Sequence, residues 1–109
     1  MWLMTTRGFV SVVQHREDPK VLHVRARVEG DLKEIRAKWM PGMTEPYSFP
    51  HSDYRWRADV SREEFSAGVV KMVEEIDYPN FKNKVAEVQG RERAEVYGRV
   101  WSVLYELQE

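Results

Sequence analysis

His23-Val24-Arg25-Ala26-Arg27-Val28 and Tyr54-Arg55-Trp56-Arg57-Ala58-Asp59-Val60 each alternate a charged residue with an apolar or small one. A period of two marks an extended strand with one covered face, because successive side chains leave opposite sides of the backbone. The alternation turns Leu22, Val24, Ala26 and Val28, with Tyr54, Trp56, Ala58 and Val60, toward a core. It leaves His23, Arg25 and Arg27, with Arg55, Arg57 and Asp59, on the other side. Strands sharing one sheet would gather four guanidinium groups on one surface.

Upstream, Phe9-Val10-Ser11-Val12-Val13 is rich in β-branched and aromatic residues and predicts a first strand over 4–15, with Gly8 marking a bulge or a close approach. Val10 and Val12 fall on the core side, and Arg7, Phe9, Ser11, Val13 and His15 on the outer side. The charged run Arg16-Glu17-Asp18-Pro19-Lys20 is a turn, so the second strand covers 20–28. Gly30-Asp31-Leu32-Lys33-Glu34 reads as a helix start capped by Asp31, continued by Leu32, Ile35 and Trp39 and stopped by Pro41-Gly42. Residues 41–52 form the longest loop, with Tyr47, Phe49 and His51 as contact side chains. A third strand follows over 53–60.

Ser61-Arg62-Glu63-Glu64 is a capping box opening a helix with Phe65, Val69, Met72, Val73 and Ile76 as its apolar stripe. Pro79 suits the first position of the next helix, which Gly90 ends. Val96, Val100, Trp101, Leu104 and Leu107 mark a last amphipathic helix. The order β-β-α-β-α-α-α predicts a small α+β domain over residues 1–109 with a three-stranded antiparallel or mixed sheet. A helical crossover makes strands two and three parallel, and placing strand one between them gives the order 2-1-3 of a split βαβ unit with all helices on one face.

A chain of 109 residues suffices for one core, since a second needs roughly 50 to 100 residues more. Hydrophobic content of 42% and charged content of 32% describe a folded globule rather than a disordered chain. The absence of cysteine excludes disulfides, thiolate metal sites and cysteine nucleophiles. No run approaches the roughly 18 apolar residues of a membrane span, so the expectation is a cytoplasmic protein with no membrane partner. A net charge of −1 gives no whole-molecule attraction to polyanions, which makes the arginine surface a local matter. Glu63, Glu64, Glu74, Glu75, Asp77, Glu106 and Glu109 place negative charge on or beside the helices.

The candidate anion-binding residues are Arg7, Phe9, His15, His23, Arg25, Arg27, Arg55 and Arg57. Arginine offers a rigid fork of donors that bonds two oxygens at once and stays charged at any physiological pH, and a central aromatic can stack a base. The competing reading is an ordinary solvated face whose arginines pair with acidic neighbours or lie beneath the aromatic loop. The three histidines have no metal-ligand spacing, and no phosphate-binding or dinucleotide loop is present, so neither metal nor cofactor is expected. Ser11 and His15 lie some 13 Å apart along a strand, too far for proton transfer.

The expected function is a non-enzymatic binding module taking an anionic partner: nucleic acid, a nucleotide or an acidic protein surface. One alternative is a small enzyme acting on a phosphorylated substrate, with His15 or Asp59 as base. The other is a structural or oligomer-forming protein without ligand, with Trp2 and Met4 as a homodimer contact.

The segments Trp2-Leu3-Met4-Thr5-Thr6-Arg7-Gly8-Phe9, Gln14-His15-Arg16, Val24-Arg25-Ala26-Arg27, Asp53-Tyr54-Arg55 and Asp77-Tyr78-Pro79-Asn80-Phe81-Lys82 resemble a group of small proteins of bacteria and their phages that has no established activity. The likeness spans most of the chain and implies neither a mechanism nor a site. A phage setting implies regulatory or anti-defence binding.

Overall fold

A computed structural model describes residues 1–108; Glu109 lies outside the described residues. The elements are β1 (Trp2–Met4), β2 (Phe9–Gln14), β3 (Val21–Ala26), α1 (Glu29–Lys38), β4 (Tyr47–Ser48), β5 (Trp56–Ser61), α2 (Arg62–Glu74), α3 (Phe81–Gln89), α4 (Arg91–Leu104) and a closing 3₁₀ turn at Tyr105–Leu107. The protein is α+β, as expected. Its contacts divide it into two compact units, Met1–Asp77 and the helical unit from Tyr78 onward.

The first unit is built on a five-stranded sheet in the order β1-β2-β3-β5-β4, with every neighbouring pair antiparallel. This corrects the three-stranded 2-1-3 sheet with its parallel crossover. The second predicted strand, β3, is the one in the middle, and it runs antiparallel to β5. The reason is one extra reversal: β4 pairs antiparallel with β5 and so runs in the sense of β3, and the chain turns once more before β5 begins. The amino terminus is likewise a strand, since Trp2, Leu3 and Met4 pair with Ser11, Val10 and Phe9.

One side of the sheet closes the core. Val10, Val12, Leu22, Val24, Ala26, Ala58 and Val60 pack with Leu32 and Ile35 of α1, Trp39, Met40, Met43 and Phe65 of α2. Fully burying one such large side chain is worth about 1.5–3 kcal/mol, which holds α1 to the sheet although its own propensity is modest. Two residues assigned to this side leave it. Val28 is the exposed residue before α1, and Tyr54 lies outside β5.

Local signals were partly redirected by tertiary bonds. Asp31 does not cap α1, whose N-cap is Val28; buried in the first turn, it accepts from the Phe9 N–H at 2.9 Å. Gly8 is the close approach that its position suggested: a Cβ there would stand 2.7 Å from Asp31 Cβ. At α2, Ser61 Oγ accepts from the Glu64 N–H at 3.0 Å, but the Glu64 carboxylate accepts from the Gly42 N–H at 2.7 Å, so only half of the capping box forms.

In the second unit, Asn80 rather than Pro79 sets the helix start, with Oδ1 accepting from the Asn83 N–H at 2.8 Å. Gly90 ends α3 with φ of 98°, a conformation that glycine adopts without strain. Val85, Ala94 and Tyr97 are buried, and Phe81 stacks on Tyr97 with centroids 6.0 Å apart. The expected apolar stripe of the last helix does not stay covered: Trp101, Leu104 and Leu107 are exposed.

Candidate functional site

The side of the sheet opposite the core carries Phe9, Ser11 and Val13 from β2, His23 and Arg25 from β3, and Arg57 and Asp59 from β5. Cross-strand register fixes their neighbours. Ser11 is opposite Arg25, Arg25 opposite Arg57, His23 opposite Asp59, and Tyr47 of β4 opposite Arg57. With Trp2 opposite Ser11, a single row crosses all five strands: Trp2, Ser11, Arg25, Arg57, Tyr47.

Two cations directly opposite one another on a sheet repel, and the usual remedy is a carboxylate in the same row. Here none is present. Among the described residues, Arg25, Arg27, Arg55 and Arg57 make no ion pair. Arg25 donates from Nη2 to Ser11 Oγ at 2.8 Å, and its Nε is buried without a hydrogen-bond partner. Arg57 donates from Nη2 to Ser52 Oγ at 2.8 Å and from Nε to the Tyr54 carbonyl at 3.4 Å. Arg27 donates to the Asp53 carbonyl at 2.6 Å. All these acceptors are neutral, so the positive charge is held in place without being cancelled.

Aromatic rings take the place of acids. The 49–54 segment folds back on the sheet, bringing the buried Tyr54 ring within 4.8 Å of the Arg25 guanidinium and 4.5 Å of that of Arg27. Phe49, half exposed, lies 4.6 Å from the guanidinium of Arg57. A guanidinium over a ring face gains quadrupole attraction while its in-plane donors stay directed outward. Arg55 precedes β5 and is exposed; its carbonyl accepts the Phe49 N–H at 2.6 Å, and its guanidinium lies 5.9 Å from the ring of Trp56.

The remaining acid of this face is engaged elsewhere. His23 turns Nδ1 to Asp59 Oδ1, and because a carboxylate only accepts, the ring N–H is the donor. Tyr47 donates its hydroxyl to the same oxygen at 3.4 Å. Burial, and then the Asp59 carboxylate beside it, hold the Tyr47 phenol above its ordinary pKa, while Arg57 acts in the opposite direction.

The eight sequence candidates therefore separate. Arg25, Arg27, Arg57 and His23 come together with Phe9 on one face. His15 joins them through its ring, 4.5 Å from that of His23, while its Nδ1 accepts the Glu17 and Asp18 N–H groups and so closes the hairpin turn. Arg7 does not belong to the group, since its guanidinium is paired with Glu34 of α1 at 2.7 Å. Arg55 stands apart from the stacked arginines. Sequence reasoning missed Ser52 and misplaced Tyr54, whose loop position hides it from any periodicity; it also missed the pairing of His23 with Asp59, because the expected strand order kept their strands apart.

Among the described residues no group of three or more acidic or histidine side chains is placed to hold a metal ion, and no helix is long and apolar enough to cross a membrane. Comparison with protein-family models, with curated proteins and with solved structures gives no match.

Proposed function

We propose that the protein is a binding module whose arginine-bearing sheet face, covered in part by the 49–54 segment, takes an anionic partner through Arg25 and Arg57, with Arg27 beside them. One observation carries this reading: two arginines stand directly opposite each other, anchored by neutral acceptors and rings, with no carboxylate in their row and, among the described residues, none ion-paired to either. Opposed like charges cost the free protein stability, and an oxyanion bridging them converts that cost into charge-assisted hydrogen bonds. Nucleic acid, a nucleotide and an acidic protein surface all present such groups, and a regulatory or anti-defence role in a phage or bacterial setting is compatible with each.

Titration calorimetry with sodium polyphosphate tests it. Binding is expected at low salt, with Arg25→Met or Arg57→Met weakening it about tenfold or more, which corresponds to the loss of about 1.4 kcal/mol. Binding unchanged in both variants overturns the reading.

A second reading, an enzyme acting on a phosphorylated substrate, draws on the His23–Asp59 pair, two residues along the strands from the arginines and on the same face. A carboxylate that fixes one ring nitrogen leaves the other for proton transfer, and arginines nearby would stabilise developing phosphoryl charge. In this reading the base is His23, with Asp59 orienting it, rather than Asp59 itself or His15, whose Nδ1 serves the turn. Hydrolysis of a chromogenic phosphodiester, abolished by His23→Ala with polyphosphate binding intact, would favour this enzyme; no turnover leaves the binding module.

A further inference from the structure

The row that carries the two arginines ends in exposed aromatic rings, and we infer from this that the anionic partner is single-stranded nucleic acid. The inference rests on the anion-binding reading above and narrows it. Trp2, at one end, is 68% exposed and meets the ring of Phe9 edge to face at 5.6 Å. At the other end Tyr47 is 38% exposed, and Phe49, next but one in sequence, is 52% exposed while one guanidinium lies against it. Between these ends the row holds Ser11, Arg25 and Arg57. Four strand spacings of about 4.8 Å put the ends about 19 Å apart, the reach of a short extended oligonucleotide rather than of one small anion.

Each part of the row then has a matching part in the ligand. Phosphodiester oxygens accept from Arg25 and Arg57, while unpaired bases stack on Trp2 at one end and on Phe49 or Tyr47 at the other. Leaving large aromatics in water forgoes burial free energy, and stacking recovers it. A duplex keeps its bases paired and offers only phosphates to such a surface, so it gains nothing from the rings. An acidic peptide answers the arginines but has no flat apolar faces spaced along its backbone. Stacking depends little on base identity, so the predicted recognition is sequence-tolerant.

The experiment is fluorescence anisotropy with labelled oligothymidylate and oligouridylate of about ten nucleotides, beside a duplex of equal length, an acidic peptide and pyrophosphate. Each variant is checked for an unchanged far-ultraviolet circular dichroism spectrum. Both single strands are expected to bind at least tenfold more tightly than the duplex, and the two strands together show whether the 2′-hydroxyl matters. Trp2→Ala should weaken single-strand binding fivefold or more with pyrophosphate binding unchanged, and Trp2→Phe should restore most of the loss; Phe49→Ala should weaken single-strand binding more than pyrophosphate binding, since its ring also holds Arg57. The salt dependence of single-strand binding should have a log–log slope of about −1.4 to −2.1, as for two or three phosphates. Equal affinity for strand and duplex, tighter binding of the peptide, or indifference to the ring substitutions overturns the inference while leaving the arginine face as an anion site. Failure of every probe, pyrophosphate and polyphosphate included, removes both.

Discussion

Arg25 and Arg57 face each other across β3 and β5, and among the described residues no acidic side chain lies within ion-pair distance of either. Their stems cover sheet surface, and their charge opposes folding to a small extent. Arg25→Met keeps most of the stem and removes the repulsion, together with the hydrogen bond to Ser11. The two effects are each about 0.5–1 kcal/mol and of opposite sign, so the melting temperature should move by only a few degrees while polyphosphate affinity falls. Thermal denaturation followed by circular dichroism, run beside the calorimetry, separates the two.

The phenol of Tyr47 is held above its ordinary pKa by burial and by Asp59. Asp59→Asn removes the negative charge and should bring the ionisation back toward that of free tyrosine. Difference absorbance of the phenolate, with Tyr47→Phe as the blank, reports it. A folded pKa raised above the unfolded one favours the folded state below the unfolded value, about 10, and that contribution is lost as pH climbs through the folded value. Stability of the parent protein should therefore fall more steeply above pH 10 than that of Tyr47→Phe.

Gly8 leaves no room for a methyl group, because Asp31 Cβ and Cα would lie 2.7 Å and 3.1 Å away. Asp31 is fixed in turn by the Phe9 N–H. Gly8→Ala should cost about 1–3 kcal/mol, the usual range for overpacking, and lower the urea midpoint without changing the slope of the transition.

Ser61 ends β5 and caps α2 with a single hydroxyl. Ser61→Ala should cost about 1 kcal/mol, whereas Ser61→Asp should retain the cap, since a carboxylate accepts the same N–H and favours the positive end of the helix. Urea denaturation of the three proteins gives the order directly.

Much of the sheet was legible because β3 is half covered: Leu22, Val24 and Ala26 alternate with His23 and Arg25 without a break, and the faces follow. Strand order was not legible. It depends on β4, two residues inside a proline-bearing segment with no period to detect, and on β1, which resembles a loose terminus until it is paired. The arginines were found by alternation alone. Their surroundings were not, because Tyr54 and Ser52 reach them through loop geometry, and because Arg7 is claimed by Glu34, 27 residues away. Asp31 illustrates the same limit: a good local cap became the partner of a distant backbone N–H once the sheet formed.

The outermost strands, β1 and β4, are three and two residues long. So short a rim exposes few free backbone groups, which gives another chain little to zip onto and protects the protein against lateral stacking into fibrils. Whatever meets this sheet must come to its broad side.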